Sequence, residues 1–156
     1  MISYPLPVLG FCAFSGTGKT TLLTQLIPLL KCTGLRIGMV KHAHHDFDVD
    51  YPGKDSYRLR QAGADQMLIA SRGRVAWVEE FPQRNSEPTL ADVLATLDPG
   101  RLDLVLVEGF KRERIPKIEI HRPRLGTPLI YPGDTSVIAI ASDTPLIGSQ
   151  PDSIVK

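Results

Sequence analysis

Apolar and polar positions fall into short alternating blocks along the chain. PVLGFCAF (7–14) is an apolar run that ends in glycine-rich sequence, the pattern of a buried strand. KTTLLTQLIPLLKC (19–32) follows with Leu22, Leu23, Leu26, Leu29 and Leu30 at helical spacing. Pro28 is expected to kink or shorten that helix, and Gly34 to stop it. LRIGMVKH (35–42) is a second strand, and a polar stretch comes after it. KDSYRLRQAG (54–63) predicts a short helix closed by Gly63, with Asp55 or Ser56 near its start. DQMLIAS and VAWVEE flank Arg72-Gly73-Arg74, a tight-turn signal. EPTLADVLATLDPG (87–100) predicts a helix capped by Thr89. LDLVLVEGF (102–110) is an apolar strand ending in an acid and a glycine. PKIEIHRP (116–123) alternates and is expected to be half exposed; TSVIAIASD (135–143) is a final buried strand.

Strands alternating with helical segments predict an α/β fold with a mostly parallel central sheet. The 74–79 and 117–122 pieces are expected to add antiparallel or edge pairing, and an exposed strand there is a candidate for pairing between subunits. One domain is expected over 1–156. The tail 144–156 holds Pro145, Gly148 and Pro151 with no helical period and is expected to be mobile.

Composition narrows the function classes. At 156 residues the chain is long enough for a real core. Its 18 basic residues against 17 acidic lack the basic excess of a nucleic-acid binder. No apolar run approaches the ~18 residues of a membrane span. The start, MISYPLPVLGFCAF, lacks a basic n-region, so no signal peptide is expected. Cys12 and Cys32 suit reduced, packed thiols of a cytoplasmic protein.

The most informative segment is AFSGTGKTT (13–21). A P-loop needs Gly, four residues, then Gly-Lys-Ser/Thr. Gly18, Lys19 and Thr20 match, and Ala13 stands where the first Gly usually does, one methyl larger. Backbone N–H groups of about residues 16–21, with Ser15 and Thr17 at the loop's entry, can surround a β-phosphate. The helix from Lys19 adds its positive end. Lys19 reaches β/γ-phosphates, and the Thr20 hydroxyl can ligate Mg²⁺. A strand before and a helix after complete the context, and predict a P-loop NTPase-like three-layer fold. Such a loop calls for an acid at a neighbouring strand end, and Glu108 in LVLVEG supplies it. Asp143, ending the last strand, could accept from guanine N1 and N2, a donor pair adenine lacks. No Asn-Lys-x-Asp is present, so these residues alone leave GTP against ATP open.

KHAHHDFDVD (41–50) packs three histidines and three aspartates into ten positions. His42, His44 and His45 are too close in sequence to converge on one tetrahedral ion, and no cysteine lies near. The segment follows a strand, which places it at the carboxyl edge of a doubly wound sheet, where ligands bind. Lys41, His42 and Lys54 are therefore candidates to face phosphates or a second anion. Asp46, Asp48 or Asp55 could hold Mg²⁺ through water.

FSGTGKTTLL, VKHAHHDFDVDYPGKDSYRLRQAGA, LDLVLVEGFK, PKIEIHR and VIAIASD together resemble the MobB family of molybdopterin-guanine dinucleotide biosynthesis adaptor proteins. The resemblance runs from about residue 7 to 145. It implies a dimeric GTP-binding protein with weak GTPase activity, working beside the MobA nucleotidyltransferase that attaches GMP to molybdenum-bound molybdopterin. It carries phosphate-binding roles onto Gly16, Thr17, Gly18, Lys19, Thr20 and Thr21, and the Mg²⁺-side acid onto Glu108. Two departures stand out. The tail LIGSQPDSIVK stops where the family usually carries a short helix. Phe14 stands where related dimeric ATPases place a second signature lysine, so no in-trans lysine mechanism is expected.

No arginine finger and no positioned glutamine are evident, so slow turnover is the physical expectation. The basic stretch KRERIPK (111–117) is a candidate for a second anionic ligand, such as a pterin phosphate, or a partner protein. Two rival classes fit parts of the pattern. An ATP-dependent small-molecule kinase would use SGTGKTT with KRER as a lid. A non-enzymatic metal or cofactor carrier would use the histidines.

Overall fold

The computed structural model describes residues 2–43, 47–81, 86–146 and 154–155. The chain divides into two units, one of Met1–His42 with Thr89–Lys156 and one of Ala43–Pro88.

The first unit holds a parallel sheet of β1 (Val8–Cys12), β2 (Ile37–Lys41), β5 (Leu104–Glu108), β6 (Lys117–His121), β7 (Val137–Ser142) and β8 (Ile154–Val155). The strand order is β2-β5-β1-β6-β7-β8. The β5 residues alternate between two cores. Val105 and Val107 pack with Val40, Phe110 and Ile115 under Leu90 and Leu94 of helix α3 (Leu90–Ala95). Leu106 packs with Phe11, Ala13 and Ile120 under Leu23 of helix α1 (Lys19–Cys32). A strand covered on both faces has no polar side, which is why LVLV is continuously apolar.

Helix α1 runs its full length with Pro28 inside it, so the proline does not shorten it. Pro28 sits in the last turns on the exposed side, where losing one N–H costs least. Thr33 and Gly34 then turn the chain, their N–H groups bonding Leu30 O (3.1 Å) and Lys31 O (3.0 Å). Thr89 caps α3 as expected. Its hydroxyl accepts from Asp92 N while the Asp92 carboxylate accepts from Thr89 N, a reciprocal pair.

β6 departs from the sequence expectation. It is neither an edge nor half exposed: it lies between β1 and β7, parallel to both. Its polar positions Lys117, Glu119 and His121 are all buried. Each of the first two has dedicated partners, which offset the cost of burial. The Lys117 ammonium donates to Lys111 O (2.7 Å) and to Asp134 Oδ2 (2.8 Å). Glu119 accepts from the N–H groups of Ile130 (2.8 Å) and Tyr131 (2.9 Å). Alternation here marks a polar inner face, not a wet one.

The second unit holds the expected hairpin, β3 (Gln66–Ser71) paired antiparallel with β4 (Arg74–Glu79) through Arg72-Gly73. Helix α2 (Asp55–Gln61) precedes it. Arg60 of α2 is buried and bridges Asp48 (2.7 Å) and Glu80. On one hairpin face the pairs Leu68/Trp77 and Ala70/Val75 leave Leu68, Val75 and Trp77 exposed. Of the tail, Ile154 and Val155 pair with Ile140 and Ala141 of β7; residues 147–153 and 156 lie outside the described ones.

Candidate functional site

The loop between β1 and α1 begins with Ala13, fully buried in the α1-side core. Thr17 is buried too, and its hydroxyl donates to Phe14 O (2.8 Å), closing the loop on itself. Gly18 caps α1 with φ +97°, a conformation that strains any residue with a Cβ. The first helical bond runs from Leu22 N to Gly18 O (2.9 Å). The N–H groups of Lys19, Thr20 and Thr21 therefore precede any intrahelical acceptor, as at every helix start. Ser15, Gly16, Thr20 and Thr21 are exposed, and Lys19 is half-buried. The result is a set of donors and one cation facing out from the carboxyl edge of the sheet, suited to a polyphosphate.

Glu108 ends the neighbouring strand. In register it pairs with Phe11 on one side and Lys41 on the other. The chain then turns sharply. Gly109 has φ +95° and Phe110 φ +47°. A Cβ on Gly109 would lie 2.6 Å from His42 Cβ. His42 N donates to Glu108 O (2.9 Å), and the His42 ring stacks on Phe110 with centroids 4.4 Å apart. The ends of β2 and β5 are thus clamped together, and Lys41 and Glu108 sit at one level.

Asp143 follows β7, and the residue after β6, Arg122, reaches it: Arg122 Nε lies 3.5 Å from Asp143 Oδ2. The same guanidinium covers Gly18, with Nη2 3.2 Å from where a Gly18 Cβ would stand. Sequence spacing does not single out Arg122. The available signal is a cation directly past a strand end, in IEIHRP, obscured by the expectation that this strand is peripheral.

Lys111, Arg112 and Arg114 line a groove of about 850 Å³ with Ile130, Thr135 and Ser136. Burial alone would raise the Asp134 carboxyl beneath it, but bonds from Lys117 and Ser136 override that and hold it at about 2. Cys12 is buried, and desolvation, with Glu119 adding to it, pushes its thiol up to about 11. Cys32 is exposed, contrary to the packed thiol expected, because the last turn of α1 faces outward there.

The structure thus brings Gly16, Gly18, Lys19, Thr20, Lys41, His42, Glu108 and Asp143 to one edge of one sheet. His44, His45 and Asp46 lie outside the described residues. Lys54, Asp48 and Asp55 belong to the second unit. Among the described residues no group of three His, Cys, Asp or Glu side chains is placed to hold a metal, and no helix is long and apolar enough to cross a membrane.

A family model for molybdopterin guanine dinucleotide synthesis protein B matches residues 8–143. The chain is 52% identical over 142 residues to a molybdopterin-guanine dinucleotide biosynthesis adapter protein of Escherichia coli (strain K12), covering 90% of this chain and 81% of that protein. It is 45% identical to the Haemophilus influenzae protein of the same name, covering 90% and 77%. Among solved structures it resembles a MobB protein homolog from Bacillus stearothermophilus, with 27% identity and a TM-score of 0.66 over 94% of this chain and 85% of that one.

Proposed function

This chain belongs to the molybdopterin guanine dinucleotide synthesis protein B family, and from that premise we propose that it is a GTP-binding adapter with weak GTPase activity. In this reading it assists a MobA-type nucleotidyltransferase in molybdopterin guanine dinucleotide synthesis and acts as a homodimer. The single observation that carries the nucleotide part is the register of the sheet edge. A glycine-capped helix start follows β1, and Glu108 ends the strand beside it.

The donor set suits Mg²⁺. The Thr20 hydroxyl and the Glu108 carboxylate are hard oxygen ligands, and neither needs a soft partner. The ion, when bound, would neutralise charge on the transferring phosphoryl group. Lys19 contacts the β/γ-phosphates, and the α1 N–H groups hold the β-phosphate. Lys41, beside Glu108, adds a second positive charge at the same level. Asp143 accepts from the guanine N1 and N2 donors, which favours GTP over ATP. The groove lined by Lys111, Arg112 and Arg114 suits a second anion such as a pterin phosphate.

Lys19→Ala tests the reading. Equilibrium binding of GTP with Mg²⁺ should fall by at least a hundredfold while the circular dichroism spectrum stays native. Unchanged affinity would sink the phosphate-loop assignment. Adding the chain to a MobA-type enzyme should raise the yield of guanine dinucleotide, and the Lys19→Ala chain should not.

A further inference from the structure

Arg122 stands between two parts of the site that sequence spacing treats as separate. Its Nε faces the Asp143 carboxylate at 3.5 Å, and its Nη2 lies over the Gly18 turn. Both side chains are part-exposed, at 32% and 42%, so neither is sealed off from a ligand. An isolated carboxylate at a strand end has several rotamers and a full hydration shell. To read a base it must be held in one of them, because only a fixed acceptor pair discriminates between donor patterns. Arginine is well suited to hold it, since the guanidinium is planar, always charged, and presents donors in a rigid fork. Gly18 is part of the arrangement, because a Cβ there would crowd the guanidinium at 3.2 Å. A residue that pairs with the Asp143 carboxylate while its guanidinium lies over the Gly18 turn spans the distance between those two.

Resting on the nucleotide reading above, we propose that Arg122 is a positioning residue that holds Asp143 against the phosphate loop and thereby sets the preference for guanine nucleotides. Asp143 touches the base; Arg122 acts through it. Arg122 also offsets the Asp143 charge, which would otherwise repel a nearby triphosphate.

The test is a set of binding measurements for GTP and ATP with Mg²⁺ on wild type, Arg122→Ala, Arg122→Lys, Asp143→Ala and the double Arg122→Ala/Asp143→Ala. The contact is a part-exposed ion pair, so the GTP-over-ATP preference should fall roughly threefold or more in Arg122→Ala. Asp143→Ala should show the same fall, and the double variant no further one. Arg122→Lys keeps the charge and should recover part of the preference. An intact preference in Arg122→Ala, or additive losses in the double variant, would overturn the proposal. So would a wild-type chain that binds both nucleotides equally. Denaturation midpoints of the variants separate misfolding from lost positioning; a folded Arg122→Lys with no recovery counts against the idea. Failure of the nucleotide reading looks different: Lys19→Ala would then bind as the wild type does, whatever Arg122 shows.

Discussion

Replacing Gly109 by alanine should be among the most damaging single-methyl changes in the chain. Two independent costs meet there. The backbone has φ +95°, where a Cβ strains the peptide by roughly 1–2 kcal/mol. The new Cβ would also lie 2.6 Å from His42 Cβ and 3.4 Å from the His42 Cα and N. Real Cβ atoms do not come within 3.0 Å, and the atom met at 2.6 Å is the His42 Cβ, which cannot move without its own backbone. Relieving the overlap means parting β2 from β5, at about the 1–3 kcal/mol typical of overpacking. The sum, about 2–5 kcal/mol, is a large share of a total near 5–15 kcal/mol. The partner variant follows from which atom collides. His42→Ala keeps the offending Cβ and should not rescue. His42→Gly removes it and should leave only the backbone strain. Urea denaturation of Gly109→Ala, His42→Gly and the double variant gives a coupling of about 1–3 kcal/mol, with loss of the His42–Phe110 stack cancelling in the cycle. Additive losses within about 0.5 kcal/mol would refute the steric argument, and a Gly109→Ala loss below about 1 kcal/mol would refute the strain argument as well.

Two further outcomes follow from the titratable groups. Asp134, held near 2 against an ordinary ~3.9, contributes stability that is present above about pH 4 and is lost as pH falls toward 2. Asp103, held at about 2 chiefly by the Arg36 side chain, acts in the same window. Asp134→Asn should therefore flatten the acid limb of the stability-pH curve without abolishing it; an unchanged slope would mean the Lys117 pair does not matter. In the native protein a thiol-specific reagent at neutral pH should modify Cys32 and leave Cys12 untouched until denaturant is added. Equal labelling of the two would show that the β1 core opens readily.

How much of the fold and site is legible in the sequence divides by physical cause. Backbone-level signals carry well. The helix start after Gly18, the Thr89 cap and the Arg72-Gly73 turn each depend on residues a few positions apart, and all three are where local rules put them. The parallel sheet follows from apolar runs covered on both sides. The misreading of β6 has a specific origin. Lys117, Glu119 and His121 give the same period-2 pattern whether the polar face meets water or meets a buried set of partners. Only the partners decide, and Asp134, Ser136, Ile130 and Tyr131 come from later in the chain, so no local window contains them. The same holds at the site. The place of Glu108 is legible because it ends the apolar run LVLV of β5, the strand beside β1. The Arg122–Asp143 contact joins residues that follow two different strands, and the His42–Phe110 stack joins two more. Strand order made both pairs, and strand order is a property of the whole sheet. Once β6 is known to lie between β1 and β7, its first residue past the carboxyl end must fall between the β1–α1 loop and Asp143. The position of Arg122 is thus a consequence of topology.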